Sequence, residues 1–324
     1  MKNYNWVVIG CGHIANEMAQ AMAEKNRHFY GVFSRTRANA QAFADRYGIE
    51  KVYGSADELF ADGDADIVYI ATPHNRHIDY IRRAAESGKH ILCEKAITLN
   101  SDELGEAAAL CEKHGVILAE AMTIYHLPVI KQTAEFIREG SLGRLKMIEV
   151  NLGSNKDYDM TNRFFNPALA GGAMLDIGVY ALSFVRYFMS ESPTEVKSAV
   201  RLAPSGVDEQ AVMLLKNRND EMASVTLSLT ARLPRTAVAA FEKGYISFDN
   251  YNRSRCAEIT FTDGKEPIIL TSDGGVSVLT YEIEDMEKAV GGQADEMHLD
   301  YTADVMKIMT DARNEWGVKY PEEN

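Results

Sequence analysis

Gly10-Cys11-Gly12-His13-Ile14-Ala15 directly follows a short apolar run, Trp6 to Ile9, and opens a segment of helical length. A chain in that order must turn sharply from strand to helix, and each small residue has its use there. The first glycine permits the turn, the second lets backbone come close to a phosphate, and Ala15 lets the helix pack tightly on the sheet. The helix start adds free amide hydrogens and the positive end of its dipole, so Gly10, Gly12, His13 and Ile14 are expected to cradle a pyrophosphate. Strand, glycines and helix in the required sequence lift the pattern above a chance match.

The rest of the first third repeats this alternation. Phe29 to Ser34, Ile67 to Thr72, His90 to Cys93 and Val116 to Glu120 read as β-rich runs separated by helical lengths, the signature of βαβ units and a parallel sheet. Ser55 with Glu58 and Asn100 with Glu103 read as cap residue and acid three apart, the pattern of a helix start. Past about Met122 the pattern changes: a helix follows Pro128, a strand covers Leu145 to Leu152, a helix carries Asp176 to Phe188, and strands then follow one another. Val225, Leu227 and Leu229 alternate with Thr226, Ser228 and Thr230 as in a half-buried antiparallel strand, and Asp263-Gly264 and Asp273-Gly274 read as hairpin turns. A last helix is expected over Glu296 to Trp316. The expected architecture is an α/β Rossmann domain with a parallel sheet, residues 1–122, followed by an α+β domain with a large, mainly antiparallel sheet, residues 123–324.

Composition narrows the partners. With 47 acidic against 34 basic residues and a formal charge of −13, broad contact with nucleic acid or an anionic membrane is disfavoured, and bound phosphate must be held locally. No stretch reads as reaching transmembrane length. Cys11, Cys93, Cys111 and Cys256 have neither CxxC spacing nor a histidine set suited to zinc, so a reduced, cytoplasmic, metal-free protein is expected.

GKHILCEKA, beginning at Gly88, sets Glu94 and Lys95 behind an apolar strand. Ligands of open parallel sheets lie beyond the carboxyl ends of the strands, so Lys95 is placed to face a bound nucleotide and its reaction partner, although a solvated charge pair satisfies the same spacing. At the end of the second strand the chain reads Phe33-Ser34-Arg35. An acid there would bind the ribose hydroxyls of NAD. Ser34 and Arg35 instead suit a 2′-phosphate and favour NADP, with NAD use left open because nothing there repels it.

RFFNPALAGGAMLDIGVY runs from Arg163 to Tyr180 and sets Asp176 and Tyr180 four apart, on one face if the segment is a helix. A phenol is a poor acid-base group at its reference pKa of ~10, but a nearby ammonium such as Lys95 lowers it toward neutrality. Spacing alone favours the plainer role, with Asp176 as a cap and Tyr180 in the core.

On these motifs, and over its length to Gly317-Val318-Lys319-Tyr320-Pro321, the chain resembles the Gfo/Idh/MocA oxidoreductase family. GGAMLDIGVY, with tyrosine at 180, is most similar to the branch of dimeric dihydrodiol dehydrogenase and NADP-dependent xylose dehydrogenase. The resemblance implies that Lys95 and Tyr180 form the catalytic pair and that Asp176 orients substrate or pair. It also implies that Thr72, Pro73, His74 and His77 line the cofactor together with Glu94; Arg163 and Tyr125 are further candidate substrate contacts, Tyr125 in place of the branch's missing Trp and Arg. Two positions depart from it. Ala96 stands where the family usually has proline, so packing must supply that restraint, and Thr123-Ile124-Tyr125-His126 replaces the branch's Trp-Thr-Arg pattern.

The activity so implied is hydride transfer between NADP(H) and the hydroxyl or carbonyl carbon of a sugar, cyclitol or diol, by a homodimer or homotetramer built on the second domain's sheet. The same fold also hosts an NAD-dependent glycoside-cleaving enzyme and non-catalytic sugar-sensing regulators. Lys95, Asp176 and Tyr180 together speak against a regulator, and the Ser34-Arg35 edge speaks for exchangeable NADP.

Overall fold

Six strands of the first third pair in parallel: β1 (Trp6–Ile9), β2 (Gly31–Phe33), β3 (Lys51–Val52), β4 (Ile67–Ile70), β5 (His90–Glu94) and β6 (Leu118–Ala121). They come from a computed structural model, which describes residues 3–323 apart from 273 and 295. Their order is β3-β2-β1-β4-β5-β6, so the winding reverses between β1 and β4. In doubly wound sheets that reversal leaves a crevice at the carboxyl ends. Every residue of β1 and β4 is buried, as expected of a sheet covered on both faces. The two expected caps form: Ser55 accepts from the Glu58 amide at 3.1 Å and Asn100 from the Glu103 amide at 2.9 Å.

A second sheet runs β14-β13-β12-β11-β7-β10-β9-β8, with β7 (Leu145–Gly153), β8 (Glu195–Leu202), β9 (Asp208–Lys216), β10 (Met222–Ser228), β11 (Thr236–Phe241), β12 (Gly244–Asp249), β13 (Cys256–Phe261) and β14 (Ile268–Thr271). Only β7 with β10 is parallel; its other pairs are antiparallel. One face is apolar core: Ala223, Val225 and Leu227 of β10 are buried, and Phe184 of the helix Val179–Phe188 packs edge-on against Phe248. Asp263-Gly264 lies in the β13–β14 hairpin. Asp273, of the other expected turn, lies outside the described residues.

The chain divides into two compact units, one running to Ala121 and resuming over Gly275–Leu299, the other Met122–Gly274 with the residues from Asp300 on. This corrects the expectation of two consecutive domains. The helix Leu279–Val290, read in the sequence as part of the second domain, returns to the first unit because Leu279, Ile283 and Met286 belong to the core that holds Trp6, Met18 and Met22. Trp6 Nε1 also donates to Glu287 at 3.0 Å, and Arg27 pairs with the same carboxylate. A further expectation fails in Pro167–Phe188, 22 residues whose most apolar 18-residue window has a mean hydropathy of 1.6, long and apolar enough to cross a membrane. That window is 78% buried within the protein, so its apolarity serves the core.

Candidate functional site

In the first unit a cleft opens where the strand order reverses. Gly10, Gly12, Ser34, Arg35, Thr72 and Pro73 line it, joined by Arg76 and Tyr80. Gly10 takes φ +103°, and a Cβ there would lie 2.4 Å from the Ala71 carbonyl oxygen, so only glycine lets β1 turn against the end of β4. Gly12 is different. A Cβ on it would meet nothing within 4 Å, and it caps the helix His13–Glu24, which has no side-chain cap and no acid in its first turn. The first-turn amides therefore have no protein acceptor from a cap or a first-turn acid, and the space over Gly12 fits a dinucleotide's pyrophosphate.

The other expected cofactor residues divide. His13 points to solvent, 91% exposed, in a pair with Glu17, and Ile14 packs on the core, so neither lines the cleft. His74 and His77 are buried. His77 acts as a tie: Nδ1 lies 3.0 Å from the Ala96 carbonyl and Nε2 2.8 Å from that of Thr72, joining the turn after β4 to the segment after β5. Its burial pushes the imidazole pKa down, against the pull of those carbonyls. Glu94 is also turned inward, accepting from the hydroxyl of fully buried Tyr69, whose pKa rises through burial and then through that carboxylate. The sequence reading missed Arg76 and Tyr80. Their signal was position, since both follow Thr72-Pro73 within a turn or two.

Lys95 is the one incompletely buried residue between Ile91 and Leu99. Its neighbours are pinned: His77 meets the Ala96 carbonyl, and the Ile97 amide donates to the buried Glu120 carboxylate at 3.1 Å. The Lys95–Ala96 peptide is cis. Packing thus holds the segment in which the resemblance led us to expect proline.

In the second unit, Gly171 to Arg186 is buried at every position except Asp176 and Tyr180. The segment is not one α-helix, as four-apart spacing assumed: Met174–Gly178 forms a π-helical turn that runs into Val179–Phe188. Such turns widen the helix by a residue and recur at functional sites. Asp208 holds the turn from below, accepting from the Met174 amide at 2.6 Å. Arg163 pairs with Asp176 at 3.1 Å, so these two expected substrate contacts are brought together. Tyr180 neighbours the fully buried Tyr251, whose pKa is raised by burial first and by Tyr180 next. Tyr125 departs from expectation. It is fully buried, with its ring stacked on Tyr187 and edge-on to Tyr301 at 6.0 Å each, a core position and not a ligand surface. Lys95 belongs to the first unit, and Asp176 and Tyr180 to the second.

Residues 4–122 match the sequence model of an oxidoreductase family with an NAD-binding Rossmann fold, Gfo/Idh/MocA, and residues 130–247 match the C-terminal domain of the same group. Trans-1,2-dihydrobenzene-1,2-diol dehydrogenase of Xenopus tropicalis is 29% identical over 98% of this chain and 99% of its own length. Among solved structures, an aldose-aldose oxidoreductase from Caulobacter crescentus complexed with glycerol superposes with a TM-score of 0.86 at 21% identity, covering 97% of this chain and 98% of that one. A 3-ketoreductase from Actinomadura kijaniata in complex with NADP and TDP-benzene gives 0.84 at 22% identity, covering 96% and 98%. At those identities the superpositions establish the fold alone.

Proposed function

The chain belongs to the Gfo/Idh/MocA oxidoreductase family and is a dehydrogenase, and from that premise we propose that it moves hydride between NADP(H) and a hydroxyl or carbonyl carbon of a sugar, cyclitol or diol. One observation carries the reading: in two otherwise buried stretches, the residues left open are Lys95, Asp176 and Tyr180. A fold gains nothing by exposing a lysine, an acid and a phenol at isolated points of its core segments, whereas an acid-base site requires it. In the oxidising direction Tyr180 takes the hydroxyl proton. The family resemblance assigns Lys95 to assist the phenol, and Asp176, paired with Arg163, to orient the substrate. The nicotinamide supplies the redox chemistry when bound; these residues supply alignment and proton transfer.

The cofactor reading rests on Ser34, Arg35 and Arg76; among the described residues no carboxylate lines this cleft, though Arg76 pairs with Asp79 at 3.1 Å just outside it. A 2′-phosphate would find two guanidinium groups and a hydroxyl there. The ketoreductase of the same fold, solved in complex with NADP, supports the same reading. The test is nicotinamide absorbance across aldoses, inositols and vicinal diols with both cofactors. Turnover with NADP on one of these classes supports the reading; preference for NAD removes the cofactor assignment, and no turnover on any class removes the substrate assignment.

The assembly reading rests on the second sheet's outer face. Leu214 and Val212 of β9, Met222 of β10, Met147 of β7, Tyr245 of β12 and Ile269 of β14 are exposed and share that face by register. An apolar face of that breadth suits a second copy of the chain in a homodimer or homotetramer. Light scattering that finds a monomer at micromolar concentration counts against it.

A further inference from the structure

The second unit carries two adjoining clefts that share Asn155, one lined also by Arg232 and Arg235, the other by Lys156 and Arg201. The chain as a whole has a charge of −13, so a local group of cations needs a reason. Arg201 has one in Glu209, 2.8 Å away. Among the described residues, Lys156, Arg232 and Arg235 have no carboxylate at ion-pair distance. Like charges gathered on one mouth repel unless an anion sits among them. The backbone also brings them together by design of sequence: a Cβ on Gly153 would lie 2.5 Å from the Ala231 oxygen and the Leu233 nitrogen, so glycine there is what lets the 231–235 loop close on the end of β7.

This mouth adjoins the hydroxyl-handling residues. Phe164 lies under both Lys156, 4.1 Å from its ring, and Arg163, 5.0 Å from it, and Arg163 reaches Asp176. Tyr251 lies within electrostatic reach of both Tyr180, which raises its pKa, and Arg235, which lowers it. We propose that Lys156, Arg232 and Arg235 hold an oxyanion, carboxylate or phosphate, carried by the substrate, so that the physiological substrate is an acidic or phosphorylated polyol and not a neutral one. The proposal rests on the dehydrogenase reading for its substrate's hydroxyls, but the anion site stands on these cations alone. Guanidinium forks and an ammonium suit either group, the forks through paired hydrogen bonds.

Calorimetric titration of the full chain, saturated with NADP so that the dinucleotide cleft is filled, separates the possibilities. The probes are sodium pyrophosphate, D-glucuronate, glucose 6-phosphate and glucose, each against wild type and the Lys156→Ala/Arg232→Ala/Arg235→Ala variant, whose changes lie on the surface. An oxyanion probe should bind wild type about tenfold or more tightly than the variant, the scale of one charged hydrogen bond, and the difference should shrink with salt. Preference for glucuronate names a carboxylate, and preference for glucose 6-phosphate or pyrophosphate a phosphate. Equal binding to both proteins, or no binding of any oxyanion, overturns the site. Anion binding without turnover of any polyol would remove the dehydrogenase's substrate class and leave the site standing; turnover of neutral polyols with no anion binding would do the reverse.

Discussion

Asp208 anchors Met174: its Oδ2 accepts from that amide at 2.6 Å, two residues ahead of Asp176. The carboxyl is fully buried, and burial, opposed by the Met174 amide and by Arg313, pushes its pKa up to about 7. The contact leaves no slack, since a Cβ on Gly172 would lie 2.3 Å from the other oxygen. Asp208 therefore couples the π-helical turn under Asp176 to pH.

The sign follows from linkage. The folded pKa lies above the ordinary aspartate value of 3.8, so the native state holds more protons between those values, and stability falls as pH rises from about 4 through about 7. At ~1.4 kcal/mol per unit, this one group costs on the order of 4 kcal/mol across the window. Asp208→Asn keeps an acceptor for the Met174 amide and cannot ionise. Its melting temperature should accordingly vary less between about pH 5 and pH 8 than that of wild type. Parallel melting curves for the two proteins over that range would show that Asp208 is not the group that titrates.

Gly10 and Gly12 are one residue apart from being neighbours, yet they should fail differently. Gly10→Ala forces a Cβ to 2.4 Å from the Ala71 carbonyl oxygen at φ +103°, so it should lower the melting temperature with or without cofactor. Gly12→Ala meets no protein atom within 4 Å. It should melt like wild type but lose NADPH affinity, because the new methyl occupies the pyrophosphate's approach. Thermal melts paired with NADPH fluorescence titrations read both. A Gly12→Ala protein with normal affinity would mean that the cofactor does not pass over that residue.

Much of this was legible beforehand because local chemistry and tertiary structure agree. The glycine turn, the Ser55 and Asn100 caps and the parallel order all follow from short-range patterns that the packing then reinforces. The failures have a common cause, which is tertiary contact overriding a local pattern. Leu279–Val290 was hidden because its apolar spacing carries no mark of which sheet it will cover. His77 and Tyr125 sit in motifs that suggest ligands, but one is consumed by two backbone carbonyls and the other by two tyrosine rings. The π-helical turn was invisible for a different reason, since its extra residue is bought by Asp208 from a strand more than thirty positions on.

Cofactor choice turns on the guanidinium groups at the cleft. If Arg35 holds the 2′-phosphate, Arg35→Ala should weaken NADPH binding by ~1.5–3 kcal/mol, the range for hydrogen bonds to charged groups, and leave NADH little changed. Fluorescence titration with both nucleotides checks it. Equal losses would assign Arg35 to the adenine or to the fold, and Arg76→Ala, on the other wall of the same cleft, would then be the variant in which to seek the discrimination.

Lys95→Met and Tyr180→Phe should each leave the melting temperature and NADPH affinity close to wild type, because both side chains are only partly buried in their segments. Turnover should fall by ~10²–10⁴ in each, the contribution of a positioned acid-base group. If lysine works by tuning the phenol, the double variant should be little worse than the worse single one, since without the hydroxyl there is nothing left to tune. Additive losses would instead give Lys95 its own contact with the substrate hydroxyl. The pH profile separates the roles further. Lys95→Met should move the rising, acid-side limb of the kcat profile for alcohol oxidation upward, toward the unassisted phenol's ~10, whereas a purely structural lysine would lower kcat without moving it. Tyr180→Phe that turns over at the wild-type rate would remove the tyrosine from the reaction and return the proton to Lys95 or to another group.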